Sequence, residues 1–115
     1  MSGYTPNAPW ARLGCGALVD HDGRGTSSAT PQIAAAAALW IQKNQAAWTA
    51  YSEGWMRVEA VRIALFDSSA KIAGLTEKLG QGALRANDAL AIAPAAEAVL
   101  RNNPPIPPPS PYCAC

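Results

Sequence analysis

Between Ile33 and Ile41 the chain places nine apolar residues in succession, IAAAAALWI, with neither the alternation of a strand nor the three-to-four spacing of a one-sided helix. Alanine and leucine are strong helix formers, and Pro31 suits an early helical turn, where few backbone donors have partners. The pattern predicts a helix over 28–43 that is buried on every face. A second helix is predicted over 53–69, where Val58, Val61 and Leu65 form one stripe and Glu53, Arg57 and Arg62 lie largely off it. Next comes LGQGALRANDAL, in which Gly80 and Gly82 flank Gln81 and imply a short extended piece before a third helix near Ala86. Pro94 breaks that helix and AAEAVLR resumes it.

The first 26 residues read as loop and short strand. Prolines punctuate their start in YTPNAPW, and Gly14, Gly16, Gly23 and Gly25 their end. Leu13, Ala17, Leu18 and Val19 supply a short buried strand ahead of DHDG, whose Asp and Gly favour a turn. Residues 104–115, PPIPPPSPYCAC, read as an extended proline-rich tail or linker rather than part of the 1–103 unit. No internal repeat is present.

Composition changes this picture in one respect. Half of the residues are hydrophobic, yet 25 of the 115 are alanine, which buries little area per residue against chain entropy. The unit is expected to pack against more protein. Its formal charge of +1 comes from scattered single charges, so no nucleic-acid or anionic-membrane partner is expected. The longest apolar run is about half of the roughly 20 residues that span a bilayer. The opening MSGYTPNAPW lacks the basic start and apolar centre of a secretion signal, and the compartment stays open. Cys15, Cys113 and Cys115 make an odd set, and the last two stand too close for an unstrained disulfide. No second Cys pair or His cluster completes a zinc site, so no metal and no cofactor are expected.

The doorway of the apolar helix carries Gly25-Thr26-Ser27-Ser28-Ala29-Thr30-Pro31. Hydroxyl residues before a helix are commonly caps. A serine at such a start is also placed for acyl transfer, because its own N–H and the helix dipole face a developing oxyanion. GTSSATP followed by Ala34 resembles the serine signature of the subtilisin-like serine proteases, G-T-S-x-A-[ST]-P-x-x-A, with methionine commonly at the place of Ser28. The resemblance extends over about Gly25 to Ile92, with VEAVRIALFDSSAK in the place of the family's next helix and LGQGALRANDAL in that of its glycine-rich closing segment (79–102 here). Ala8-Pro9 corresponds loosely to an Ala-Pro-Gly turn, Trp10 replacing the glycine.

The resemblance implies that Ser27 is the nucleophile of a serine endopeptidase, with Gly25, Thr26, Ala29, Thr30 and Pro31 supporting it. It also implies a three-layer α/β/α fold with a parallel sheet, of which this chain forms the C-terminal, mainly helical portion. In that family the orienting Asp and the base His precede the serine. His21, the sole histidine, lacks the His-Gly-Thr context of the base, and Asp20 and Asp22 read as turn residues. Neither Asn7 nor Asn44 matches the asparagine that completes the oxyanion hole. The chain alone is therefore expected to be inactive, with a missing N-terminal part of the peptidase domain as partner and peptide or protein as substrate. The alternative is a non-enzymatic helical interaction module, or a degenerate truncated copy of a protease. Ser68-Ser69-Ala70-Lys71 fits S-x-x-K without its companion motifs, and Trp40, Trp48 and Trp55 are read as packing residues.

Overall fold

The computed structural model describes residues 1–5, 8–11, 14, 18–23, 25–74 and 80–102. Leu13 and Ala17 of the expected first strand, Asn7, all three cysteines and the proline-rich tail lie outside them. Two strands, β1 (Ala8–Ala11) and β2 (Val19–Gly23), pair antiparallel with an irregularity between Ala8 and Trp10. Among the described residues five helices follow: α1 (Thr26–Lys43), α2 (Gln45–Ala50), α3 (Gly54–Asp67), α4 (Ala86–Ala91) and α5 (Glu97–Asn102).

A parallel sheet is absent among the described residues, so the expected α/β architecture does not hold. The extended pieces are an antiparallel ribbon and two isolated bridges, Ser2↔Ala83 and Ala70↔Ala83. The physical reason is that alanine-rich stretches supply helices, while the extended stretches are only four or five residues long and too few to build a layer. DHDG is also not the expected turn. It is the body of β2, because pairing with β1 outweighs the local turn preference of Asp and Gly.

Helix α1 runs 18 residues because its alanines and leucine lose little side-chain entropy there. It ends at Asn44, whose backbone N–H and side-chain amide both donate to the Trp40 carbonyl. Contrary to the expected all-round burial, only Ser28, Ala36 and Trp40 are buried. The buried face of α3 keeps part of its expected stripe, with Leu65 buried and Val61 packed against the core, but not Val58. Met56, Ala60 and Ala64, spaced four apart, turn inward with Glu59 and Leu65, while Val58 is 70% exposed.

Four of the nine buried apolar residues among the described ones are alanine, which lets α1, α3 and α4 approach closely. Larger side chains gather where α1, the α2–α3 link and α5 meet: Trp40, Tyr51, Met56 and Leu100. Each polar atom carried into this cluster has a partner, as burial demands. Trp40 Nε1 donates to the Ile92 carbonyl at 2.9 Å, and the Tyr51 hydroxyl to that of Ala95 at 2.6 Å. Burial, with Glu97 nearby, pushes the Tyr51 phenol above its ordinary value. The two bonds fasten the Pro94-containing link between α4 and α5 onto the core.

Glu59 is buried yet charged, held by the Arg62 guanidinium one turn on. Hydrogen bonds from Arg62 keep its carboxyl below the ordinary value of 4.5 despite the opposing effect of burial. A depressed native pKa stabilises the fold above the unfolded value, and that contribution disappears as pH falls through the native one. Arg62 is half in solvent, so the contribution is about 1 kcal/mol. Denaturation midpoints should fall for the native chain between pH 5 and pH 3, about the ordinary carboxylate value, and Glu59→Gln should flatten that slope.

Gly82 lies at φ +129, and a Cβ there would meet the Ala70 carbonyl oxygen at 2.6 Å. Only glycine lets the 80–84 segment close on residues 69–70, where Ala70 and Ala83 exchange backbone hydrogen bonds. Gly82→Ala should cost about 2 kcal/mol in urea denaturation. Gly74→Ala, also at positive φ but with open space around the added Cβ, should cost about half as much.

Candidate functional site

Gly25 turns the chain into α1. Its φ of 78 is open to glycine at little cost, and its carbonyl accepts from the N–H groups of Ser28 and Ala29. No side chain caps the helix. The hydroxyls of GTSSATP therefore lie inside the first turns rather than ahead of them, which corrects the capping expectation. Thr30 Oγ1 donates back to the Thr26 carbonyl at 2.8 Å. Pro31 stands four residues after Ser27 inside the helix and has no N–H to give the Ser27 carbonyl, so the ladder is interrupted there.

The two adjacent serines differ sharply. Ser28 is buried, 3% exposed, and its carbonyl accepts from Gln32. Ser27 is exposed, and neither its hydroxyl nor its N–H has a hydrogen-bond partner among the described residues. The first N–H groups of any helix lack intrahelical partners, and the helix dipole there favours negative charge.

Residues 1–5 brace this end of α1. Ser2 exchanges backbone bonds with Gly82 and Leu84, and Gly3 rests so near Ala29 that a Cβ would stand 3.0 Å from its Cα. The Gln32 side chain pairs with Tyr4 as a strand would, accepting from its N–H at 3.2 Å and donating to its carbonyl at 2.5 Å. Nothing in the sequence signals that clamp. A cavity of about 360 Å³ opens beside the turn, lined by Met1, Ser2, Gly3, Thr5, Gly25, Thr26 and Ala29.

From Ser27 a bare face runs down α1. Thr30, Pro31, Ala34, Ala35, Ala38 and Leu39 are all exposed, and their three- and four-residue spacing puts them on one side. This is the part of the apolar helix that the described residues leave uncovered. His21 falls on β2 together with Asp20 and Asp22. Asn44 stands 17 residues beyond Ser27, about 25 Å along a helix, with its amide committed to Trp40.

The Ser68 and Ser69 hydroxyls donate to the carbonyls of Ala64, Leu65, Phe66 and Gln81, and Lys71 is exposed. Ser68 closes the end of α3, and Ser69 fastens it to the 80–84 segment. Among the described residues no group of His, Cys, Asp and Glu is placed to hold a metal ion, and no helix is long and apolar enough to cross a membrane. No known protein family matches the chain, nor does any curated protein or solved structure.

Proposed function

We propose that this chain supplies the nucleophile of a serine endopeptidase, Ser27, and that a further polypeptide segment supplies the histidine and carboxylate. The observation that carries this reading is an exposed Ser27 at the amino end of α1 whose hydroxyl and N–H have no hydrogen-bond partner among the described residues, inside the GTSSATP signature. The bare Thr30–Leu39 face begins one turn from Ser27. A segment that covers it is brought next to the hydroxyl, where a base has to stand.

In the reaction, the histidine takes the Ser27 proton as Oγ attacks the peptide carbonyl. The tetrahedral oxyanion receives the Ser27 N–H, and the histidine then protonates the leaving amine. Water hydrolyses the resulting acyl-serine. The isolated chain, without a base at Ser27, is inert. Fluorophosphonate treatment should leave the purified chain unlabelled. The protein isolated from its source under non-denaturing conditions should take up one probe per chain. Failure of that native form to react would favour the helical interaction module instead.

A further inference from the structure

The cavity of about 360 Å³ beside the Gly25 turn reaches Thr26, one residue and about 3.8 Å of backbone before Ser27. Its walls come from two places. Gly25, Thr26 and Ala29 supply one side from the start of α1, and the segment laid across them, residues 1–5, supplies the other. None of the lining side chains is acidic or basic, so a charge carried into the cavity would meet no ion-pair partner among them. The volume lies at the lower end of the range for ligand pockets, and it suits a single side chain.

Gln32, one turn on from Ser28, holds the second wall in place. A glutamine amide offers an acceptor oxygen and two N–H donors, and here all are engaged. Its Oε1 accepts from the Tyr4 N–H at 3.2 Å, while Nε2 donates to the carbonyls of Tyr4 at 2.5 Å and Ser28 at 2.8 Å. One side chain is thus tied both to the wall and to the residue that follows Ser27. Ser2 is fixed separately, by its backbone bonds to Gly82 and Leu84. Tyr4 is 70% exposed, and Thr5 follows it into the cavity lining. Loss of the Gln32 amide would therefore let residues 4 and 5 swing away from α1 and widen the cavity, while Ser27 stays on its helix.

We propose that this cavity receives an uncharged aliphatic side chain of the peptide substrate, next to the scissile bond, and that Gln32 is the positioning residue that sets its width. The inference rests on the Ser27 reading. A peptide carbonyl held at the Ser27 hydroxyl has its flanking residues within about one residue length, 3.8 Å, of that serine, and Thr26 opens the cavity at the same distance. Gln32 touches neither substrate nor the reacting atoms, so its effect falls on binding rather than on the chemical step.

The test uses the native protein and its variants produced in the same source, assayed on peptides that differ only at the two residues flanking the scissile bond. Leucine or valine should be preferred to aspartate or lysine roughly a hundredfold in kcat/KM, the scale for a charge left without a partner. Ala29→Leu, which narrows the cavity, should move the preference toward glycine and alanine by roughly tenfold. Gln32→Ala should raise KM for the leucine peptide roughly tenfold with kcat within about twofold, and leave the rate of fluorophosphonate labelling at Ser27 unchanged. Gln32→Glu should do the same, because a carboxylate has no donor for the Tyr4 and Ser28 carbonyls. Normal labelling and turnover with a peptide preference that neither Ala29→Leu nor Gln32→Ala moves, or a preference for charged residues, would overturn this inference and leave Ser27 standing. A native protein unlabelled at Ser27 would overturn both.

Discussion

Trp40→Ala should lower the unfolding free energy by about 3–5 kcal/mol, the range for truncating a buried large aromatic, and at 37 °C the variant should lose most of its helical signal. Trp40 is 0% exposed at the centre of the cluster where α1, the α2–α3 link and α5 meet. Neighbouring alanines are too short to collapse into the space it would vacate. The Ile92 carbonyl, which accepts from Trp40 Nε1, would also lose its donor, freeing the α4–α5 link. Domains of this size hold about 5–15 kcal/mol in total, and an alanine-rich core sits toward the low end. Trp40→Phe keeps much of the volume and gives up the hydrogen bond, so its cost should be about 1–2 kcal/mol. Guanidinium denaturation followed at 222 nm separates the two variants. Equal midpoints for Trp40→Ala and the unsubstituted chain would show that this cluster is not the centre of stability.

Ser27→Ala should abolish peptide hydrolysis by the native assembly, with turnover falling about a million-fold, the size of effect established for the subtilisin triad. Its stability should barely move, because the residue is exposed and its hydroxyl makes no hydrogen bond among the described residues. Ser28→Ala should show the opposite balance. That residue is 3% exposed against the floor of α1, so its loss should be read in stability while Ser27 remains reactive. The separation distinguishes a chemical role from a structural one at neighbouring positions of one turn.

Much of the helical framework was legible because alanine and leucine runs state helix with little ambiguity. Which face each helix buries was not. Nine apolar residues in a row carry no periodicity, so nothing in IAAAAALWI says that Ala36 and Trp40 turn inward while Ala34, Ala38 and Leu39 stay bare. In α3 the stripe placed Val61 and Leu65 inward correctly, but it also held Val58, which is exposed, and missed the alanines at 60 and 64, whose small size lets α1 and α4 close in. The ribbon of β1 and β2 was hidden for another reason. Pro9 and DHDG argue locally for turns, and only their mutual pairing makes them strands. Such a proline is tolerated in a two-stranded ribbon, where every strand is an edge.

The parallel sheet expected from the family resemblance is a larger error. Likeness in a serine signature speaks for the placement of one hydroxyl at a helix start. It does not turn the antiparallel ribbon and two isolated bridges of the described residues into a parallel layer.

The most direct measurement is the location of the covalent label. Protein isolated under non-denaturing conditions would be reacted with a fluorophosphonate probe, digested and mapped by mass spectrometry. The probe should be found on Ser27 alone, and prior heat denaturation should prevent its attachment. Label on Ser28 or another serine, or an unlabelled Gly25–Pro31 peptide from a preparation that hydrolyses protein, would contradict the assignment of Ser27 as nucleophile.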